Sequence, residues 1–337
     1  MKPFKNVSFV TQTFPPRTGG IESVMAALAK RFSDSGTKVK VFPDRNPTLS
    51  PTYEYHLIRA PKLIRWIFKK FLVAIHCNQD DLIICDSWKS ARAVPKSFHN
   101  LVILAHGQEY LDPAKTKRIQ IALNRAKLVA CSSNATKRLV EERSPTVEGK
   151  TVTVYPTYML DDNEYIFDRK RDNGITKLIT LCRLERRKGL FNAMIALAQL
   201  KKKGFKFRWK ICGSGPHEDE LQQLCKELNL NENVDFLGHV TEIEKSELLG
   251  SSDLFLMPSY QDGGSLEGFG ITYVEAAAHG LPSIGGIAGG APEAVNPPSC
   301  GWTCDGSSPD AIRETLSIAL SNSDLLYERG SNARQNF

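Results

Sequence analysis

The pattern that most limits what this chain can become is an alternation of short β-type runs with amphipathic helical stretches, and the series runs twice. In the first series "NVSFVT" (6–11) leads into a helix over 19–35, with Ile21, Val24, Met25, Leu28 and Phe32 on one face. Strands are expected at 38–42, 82–85, 101–105, 127–133 and 151–156. After residue 156 the pattern dissolves into the polar "TYMLDDNEYIFDRKRDNGIT", and a second series then begins. It gives strands at 177–182, 208–213, 233–238, 253–258 and 282–286, with helices over 189–203, 217–229 and 270–279 between them. Strands alternating with helices predict parallel sheets covered on both faces. A chain of 337 residues is also long for a single core. The expected fold class is therefore α/β, with two Rossmann-like doubly wound domains facing across a cleft. The domains are placed at 1–157 and 176–337, with 158–175 as a linker. Ligands bind such sheets at the carboxyl ends of the strands.

Charge divides unevenly between the halves. Residues 1–150 hold 25 Lys/Arg against 12 Asp/Glu, a balance of +13, and the whole chain carries +7, so the remainder carries −6. The first half therefore expects an anionic surface. The stretch "KLIRWIFKKFLVAIH" (62–76) sharpens that expectation. On a helical wheel Lys62, Arg65, Lys69 and Lys70 fill one arc, and Leu63, Ile64, Ile67, Phe68, Phe71 and Leu72 fill the opposite one. A basic amphipathic helix of this kind lies in the headgroup region of an anionic membrane. No apolar run reaches the ~20 residues of a spanning helix, and "MKPFKNVSFV" has no signal-peptide centre. The expected location is cytoplasmic, peripheral on the inner membrane face, and no nucleic-acid partner is expected. Eight cysteines without a Cys-x-x-Cys pair read as small buried hydrophobes in a reducing compartment. No resident metal is expected, and His56, His76, His99, His217 and His279 receive no role.

The chemistry concentrates in "SLEGFGITYVEAAAHGLPSI" (265–284). Glu267 and Glu275 stand eight positions apart, about 12 Å along a helix axis if the helix begins near Gly268–Gly270. Glycosidase carboxylate pairs work at roughly 5–9 Å across one sugar bond. The wider spacing suits an extended ligand with hydroxyls at both ends and negative charge between them. Gly268, Phe269 and Gly270 would offer helix-start amides to that charge.

At these residues the chain resembles the retaining glycosyltransferases of family 4, which have the GT-B fold. "EGFGITYVE" is similar to their Glu-x7-Glu motif, "TFPPRTGGIE" (13–22) to their phosphate-side loop, and "AHGQE" (105–109) to the segment carrying their catalytic histidine. "CRLERRKG" (182–189) resembles their basic motif, and "ICGSGP", "FLGHV" (236–240) and "GGAPEAV" (289–295) stand in the family's order. The proline-rich loop and "GGAPE" are most like members that transfer mannose to lipid-linked acceptors.

Each motif has a physical reading beside the resemblance. Gly19 and Gly20 let backbone approach a phosphate without a Cβ in the way. Arg183 and Lys188, at a strand end, can neutralise a departing diphosphate, whereas Arg186 and Arg187 are expected on the solvated surface. His106 follows a buried strand and can meet a sugar hydroxyl. Gly238, His239 and Val240 would present backbone groups to a nucleobase. "GSGP" lacks the third glycine of a dinucleotide fingerprint, and Asp-x-Asp is absent from the chain. In family terms this implies a metal-independent transfer with retention and no cofactor beyond the sugar nucleotide itself, with Glu267 on the donor sugar and Glu275 on the ribose. The resemblance implies GDP-mannose as donor, with a lipid-linked, lipopolysaccharide or polysaccharide acceptor. UDP-hexoses are the alternative donors, and a sugar-nucleotide 2-epimerase is the alternative enzyme. It also implies a further helix beyond Phe337.

Overall fold

In a computed structural model the described residues are 4–16, 19–45, 52–158 and 174–336. They form two compact units, Met1–Pro156 and Thr157–Phe337. Of the expected linker 158–175, residues 159–173 lie outside the described residues.

The first unit runs β1 (Asn6–Val10), α1 (Gly20–Asp34), β2 (Lys38–Phe42), β3 (Tyr53–Tyr55), α2 (Arg65–His76), β4 (Leu82–Cys85), β5 (Leu101–Ala105), α3 (Thr116–Asn124), β6 (Leu128–Cys131), α4 (Asn134–Arg143) and β7 (Thr151–Thr153). Its seven strands pair in parallel in the order β3-β2-β1-β4-β5-β6-β7. The second unit runs β8 (Thr176–Leu181), α5 (Leu190–Lys202), β9 (Phe207–Cys212), α6 (Glu218–Glu227), β10 (Val234–Gly238), α7 (Glu242–Gly250), β11 (Leu254–Met257), α8 (Ile271–Ala278), β12 (Ser283–Gly286), α9 (Ala291–Val295), β13 (Gly301–Cys304), α10 (Pro309–Ser321) and α11 (Ser323–Asn336). Its six strands are ordered β10-β9-β8-β11-β12-β13, again all parallel.

The near-continuous apolar strands have the physical cause the alternation predicts. Side chains on a strand point alternately to the two faces. Ile83 and Cys85 join one core cluster and Ile84 the other, as Leu101 and Ile103 do against Leu104. In the second unit Leu254 and Leu256 enter one cluster, and Phe255 and Met257 the other. A strand buried on both faces has no polar side to spend, which is why these runs carry almost no charge. Trp209, fully buried, donates its indole N–H to Thr180 Oγ1 at 2.9 Å, so its one polar atom is satisfied. All eight cysteines are free; seven are buried and Cys182 is half-buried, as expected of small apolar side chains.

Strand order reverses between β1 and β4 in the first unit and between β8 and β11 in the second. The carboxyl ends of these four strands are therefore where each sheet opens a crevice.

Helix α2 corrects the expectation for 62–76. The helix forms, but its basic arc is not uniformly solvated: Lys62 ahead of it is exposed and Lys70 half-buried, while Lys69 turns inward. Lys69 is 2% exposed, and its ammonium group bonds Asp44 and donates to the Thr11 carbonyl at 2.7 Å. Arg65 also pairs with Asp44, at 3.5 Å. Burial pushes the Lys69 pKa down, and Asp44 offsets this only in part. Leu63 (88% exposed), Ile64, Ile67, Phe68, Phe71 (64% exposed) and Ile75 instead lie open to solvent. The acceptors of Asp44 and Thr11 decide which arc turns inward, and the apolar arc is left outside.

Candidate functional site

The loop after β8 carries the basic motif. A short 3-10 turn over Arg186–Lys188 ends at Gly189, whose φ of 77° is the left-handed conformation that suits glycine. A Cβ there would also come within 2.0 Å of the Pro258 carbonyl oxygen. This close crossing brings the ends of β8 and β11 together. It turns Arg187 and Lys188 inward, where both donate to one oxygen of Glu267, Arg187 at 2.9 Å. Burial alone would raise the pKa of Glu267, but Lys188 and Arg187 outweigh it and hold the carboxyl below its ordinary value. Arg187 also bonds Glu185 through Nε at 2.9 Å.

The structure thus brings together Glu267 and Lys188, as the sequence suggested, and adds Arg187. That arginine was expected on the surface, yet its side chain is only 13% exposed. In "RRK" nothing but the geometry of the turn selects which cation points inward. Arg186 does lie outside, paired with Glu220. Arg183 is 70% exposed and lies 3.3 Å from Glu185. It stands outside the buried triad and reaches it through Glu185, which Arg187 also bonds.

Glu267 is fixed through its backbone as well. Gly290 donates to the Glu267 carbonyl at 3.0 Å. A Cβ on Gly289 would meet that same oxygen at 2.1 Å, so the "GGAPE" segment can press against it only as glycine. Helix α8 begins at Ile271, with Gly270 as its N-cap at φ 90°. Its start lies within one residue of the expected 270, and Gly268 and Phe269 precede the N-cap. Phe269 is buried.

Glu275, in the second turn of α8, is buried and accepts from Lys245 Nζ of α7 at 3.0 Å. Lys245 lies over the Tyr158 ring, 5.1 Å from its centroid, and also pairs with Glu242. Burial would lower the pKa of Lys245, and Glu275 with Glu242 reverses the shift. Sequence reasoning passed over this lysine, since a single Lys inside a polar helix carries no signal. Of the nucleobase candidates, Gly238 has φ 63° and accepts from Gly213 N–H at 2.6 Å. His239 is exposed, and Val240 packs against the apolar cluster on one face of the sheet.

In the first unit the corresponding crevice is organised by Asp86, which directly follows β4. One of its oxygens accepts from Thr11 Oγ1 (2.9 Å), Gln12 N–H (2.7 Å), and Thr13 N–H and Oγ1 (both 3.2 Å). The other accepts from Ser90 and Ser87. His106, just after β5, reaches the Asp86 carbonyl through Nε2 at 2.8 Å, which requires Nε2 to carry the proton. Its own N–H donates to Glu109 at 2.8 Å. His106 is thus fixed beside the loop that leads to Gly19 and Gly20, of which residues 17 and 18 lie outside the described residues. Glu22, buried in the first turn of α1, packs against Gly19: a Cβ there would meet its carboxylate at 2.6 Å.

Among known proteins, residues 161–336 match the family glycosyl transferases group 1. The putative colanic acid biosynthesis glycosyltransferase WcaL of Escherichia coli K12 is 33% identical over 141 residues, 42% of this chain and 35% of that protein. A GDP-mannose-dependent monoacylated alpha-(1-6)-phosphatidylinositol monomannoside mannosyltransferase of Corynebacterium glutamicum is 38% identical over 136 residues, 40% of this chain and 35% of that one. These alignments span about a third of each relative's length. The structure of sucrose-phosphate synthase from Thermosynechococcus elongatus superposes with a TM-score of 0.80 at 18% identity, covering 98% of this chain and 93% of that one, a likeness of fold. With half of its length matched to one family, and two parallel-sheet domains of the GT-B type, the chain belongs to the glycosyl transferases group 1 family.

Proposed function

We propose that this protein is a retaining glycosyltransferase of family 4 that moves mannose from GDP-mannose to a lipid-linked, lipopolysaccharide or polysaccharide acceptor without a metal ion. The observation that carries this is the Glu267 carboxylate held by Lys188 and Arg187 at the crevice of the second sheet. A diphosphate arriving there competes for the two cations and frees Glu267 to accept from donor-sugar hydroxyls. Arg183, outside the triad, adds a third positive charge. Glu275 is the acceptor for ribose hydroxyls, reached by displacing Lys245. His106, with Nε2 engaged, offers Nδ1 to a sugar hydroxyl. In the reaction the bond from the anomeric carbon to the phosphate oxygen breaks, and the acceptor oxygen bonds the same face of that carbon. The acceptor's proton passes to the leaving phosphate oxygen, giving the glycoside and GDP. The likeness to a GDP-mannose-dependent relative supports the choice of donor.

Melting the protein in EDTA against GDP-mannose, UDP-glucose, UDP-galactose and UDP-GlcNAc tests the donor. A ligand at 100 times its dissociation constant adds roughly 2.7 kcal/mol, which moves a melting point by a few degrees. The expected result is a shift with GDP-mannose and none with the UDP sugars; a shift with a UDP sugar alone overturns the donor assignment.

We also propose that the first unit docks on the anionic cytoplasmic face of a membrane, now through the apolar face of α2 in place of the lysine arc. No helix among the described residues is long and apolar enough to cross a membrane. Exposed Arg59 and Lys62 precede the helix, and Arg92 stacks on Trp66 of its first turn at 3.7 Å, so cations border the apolar stripe. Replacing Phe68 and Phe71 together with Glu should weaken binding to phosphatidylglycerol vesicles by roughly 100-fold or more, since each buried phenylalanine contributes roughly 1.5–3 kcal/mol. Unchanged co-sedimentation with the vesicles would remove the membrane from the account.

A further inference from the structure

At the edge of the first sheet, away from Asp86 and His106, three ligand-type side chains meet. Glu54 lies in β3, His56 follows that strand, and His76 is the last residue of α2. One ligand atom from each lies within 4.8 Å of the other two. The imidazoles of His56 and His76 approach to 4.0 Å between ring centroids, and the opposite face of the pair is closed by Phe42, stacked on His56 at 4.7 Å. His56 is held in place by its backbone N–H, which donates to the Val41 carbonyl at 2.9 Å.

The polar end of His56 is the telling feature. Its Nε2 is buried and lies 2.8 Å from a Glu54 oxygen, a close pairing without well-aligned hydrogen-bond geometry. Buried polar atoms rarely forgo hydrogen bonds. A ring nitrogen and a carboxylate oxygen this close, with a second imidazole beside them, can ligate one shared cation. We propose that Glu54, His56 and His76 bind a divalent zinc-class transition ion through two imidazole nitrogens and one carboxylate oxygen, with water completing the coordination.

The donor set suits such an ion: zinc takes nitrogen at about 2.0–2.1 Å and carboxylate oxygen at about 2.0–2.2 Å. Ligand atoms on a four-coordinate ion stand about 3.4 Å apart, so the group closes by up to about 1.4 Å. Glu54, the exposed member, is free of the core packing that fixes the two rings and can supply that movement. The site also lies at the carboxyl end of α2, where the helix dipole favours positive charge. Lys40 already uses that field by donating to the His76 carbonyl. The bound ion would tie the edge strand β3 to the end of α2. Its role is structural and independent of the sugar-transfer chemistry, whose residues lie elsewhere.

Titration of the 337-residue chain with zinc chloride by calorimetry, in a phosphine reductant, tests this. One equivalent should bind. His56→Gln and His76→Gln should each weaken binding by at least the roughly 10- to 100-fold that losing even a supporting partner costs. Glu54→Gln should weaken it as well. Cobalt(II) should give the visible absorption of a four-coordinate ion in the parent and lose it in both histidine variants. Amides 73–76 should exchange more slowly with zinc present. Melting without metal checks that the variants fold, and His76→Gln, which leaves the His56–Phe42 stack intact, serves if His56→Gln does not. Absence of a one-equivalent site, or binding unchanged in His76→Gln because the ion sits on thiols or other histidines, overturns the proposal.

Discussion

Lys188→Ala should lower the proposed mannosyl transfer by roughly 10²–10³-fold, the usual loss when one preorganised donor to a developing negative charge is removed. Lys188 is buried and points into the crevice, so its charge acts where water screens poorly. Folding should survive, because Arg187 remains on Glu267 and keeps that buried carboxylate paired. Arg186→Ala is the matched control: its guanidinium is exposed, paired with the exposed Glu220 and lying over the Phe191 ring at 4.9 Å, and such surface pairs contribute little. The assay is transfer of labelled mannose from GDP-mannose into a membrane extract, with both variants at equal protein. If Lys188→Ala turns over near the parent rate, the crevice at β8 and β11 is not the place where the diphosphate leaves.

Lys69→Met should destabilise the first unit by about 3 kcal/mol, the low end of what breaking a buried ion pair costs. The low end applies because Asp44 is partly exposed and keeps Arg65 as a second partner. At about 2–4 °C per kcal/mol, this corresponds to a fall in melting temperature of roughly 6–12 °C. Adding Asp44→Leu should recover much of the loss, since exchanging both partners for apolar groups is often near neutral. Lys70→Ala, one position on and only half-buried, should change little. An unperturbed melting point for Lys69→Met would mean that Lys69 points outward, and the apolar face of α2 would then have to be inward.

These two lysines also mark where the sequence was legible. Strands such as Lys38–Phe42 and Leu101–Ala105 match their expected bounds, because an apolar run buried on both faces has few other ways to fold. Strand β3 escaped notice: it is three residues long, and "YEY" at a sheet edge has neither a buried run nor a useful period. The helix at 62–76 was visible from its wheel, but a wheel only separates two arcs. Which arc turns inward was settled by Asp44, 25 positions before Lys69, and by the Thr11 carbonyl, 58 positions before it. Glu267 and Lys188 could be singled out because their motifs carry charge beside glycine. Arg187 could not, since its direction depends on the turn closed by Gly189. Lys245 depends on the packing of α7 against α8, which no local pattern encodes.

The eight free thiols have a practical consequence for handling the protein. Burial pushes the thiol pKa up to about 12 in Cys131 and Cys182, and to about 11 in Cys212 and Cys304. Only thiolate reacts readily with oxidants and alkylating reagents. The folded chain should therefore be chemically silent toward iodoacetamide at neutral pH, while every opened molecule exposes eight reactive groups at once. Alkylation becomes a clock for global opening, and air oxidation of heated samples traps unfolded chains as cross-linked aggregates. A melting temperature taken without reductant would then depend on how fast the sample was heated.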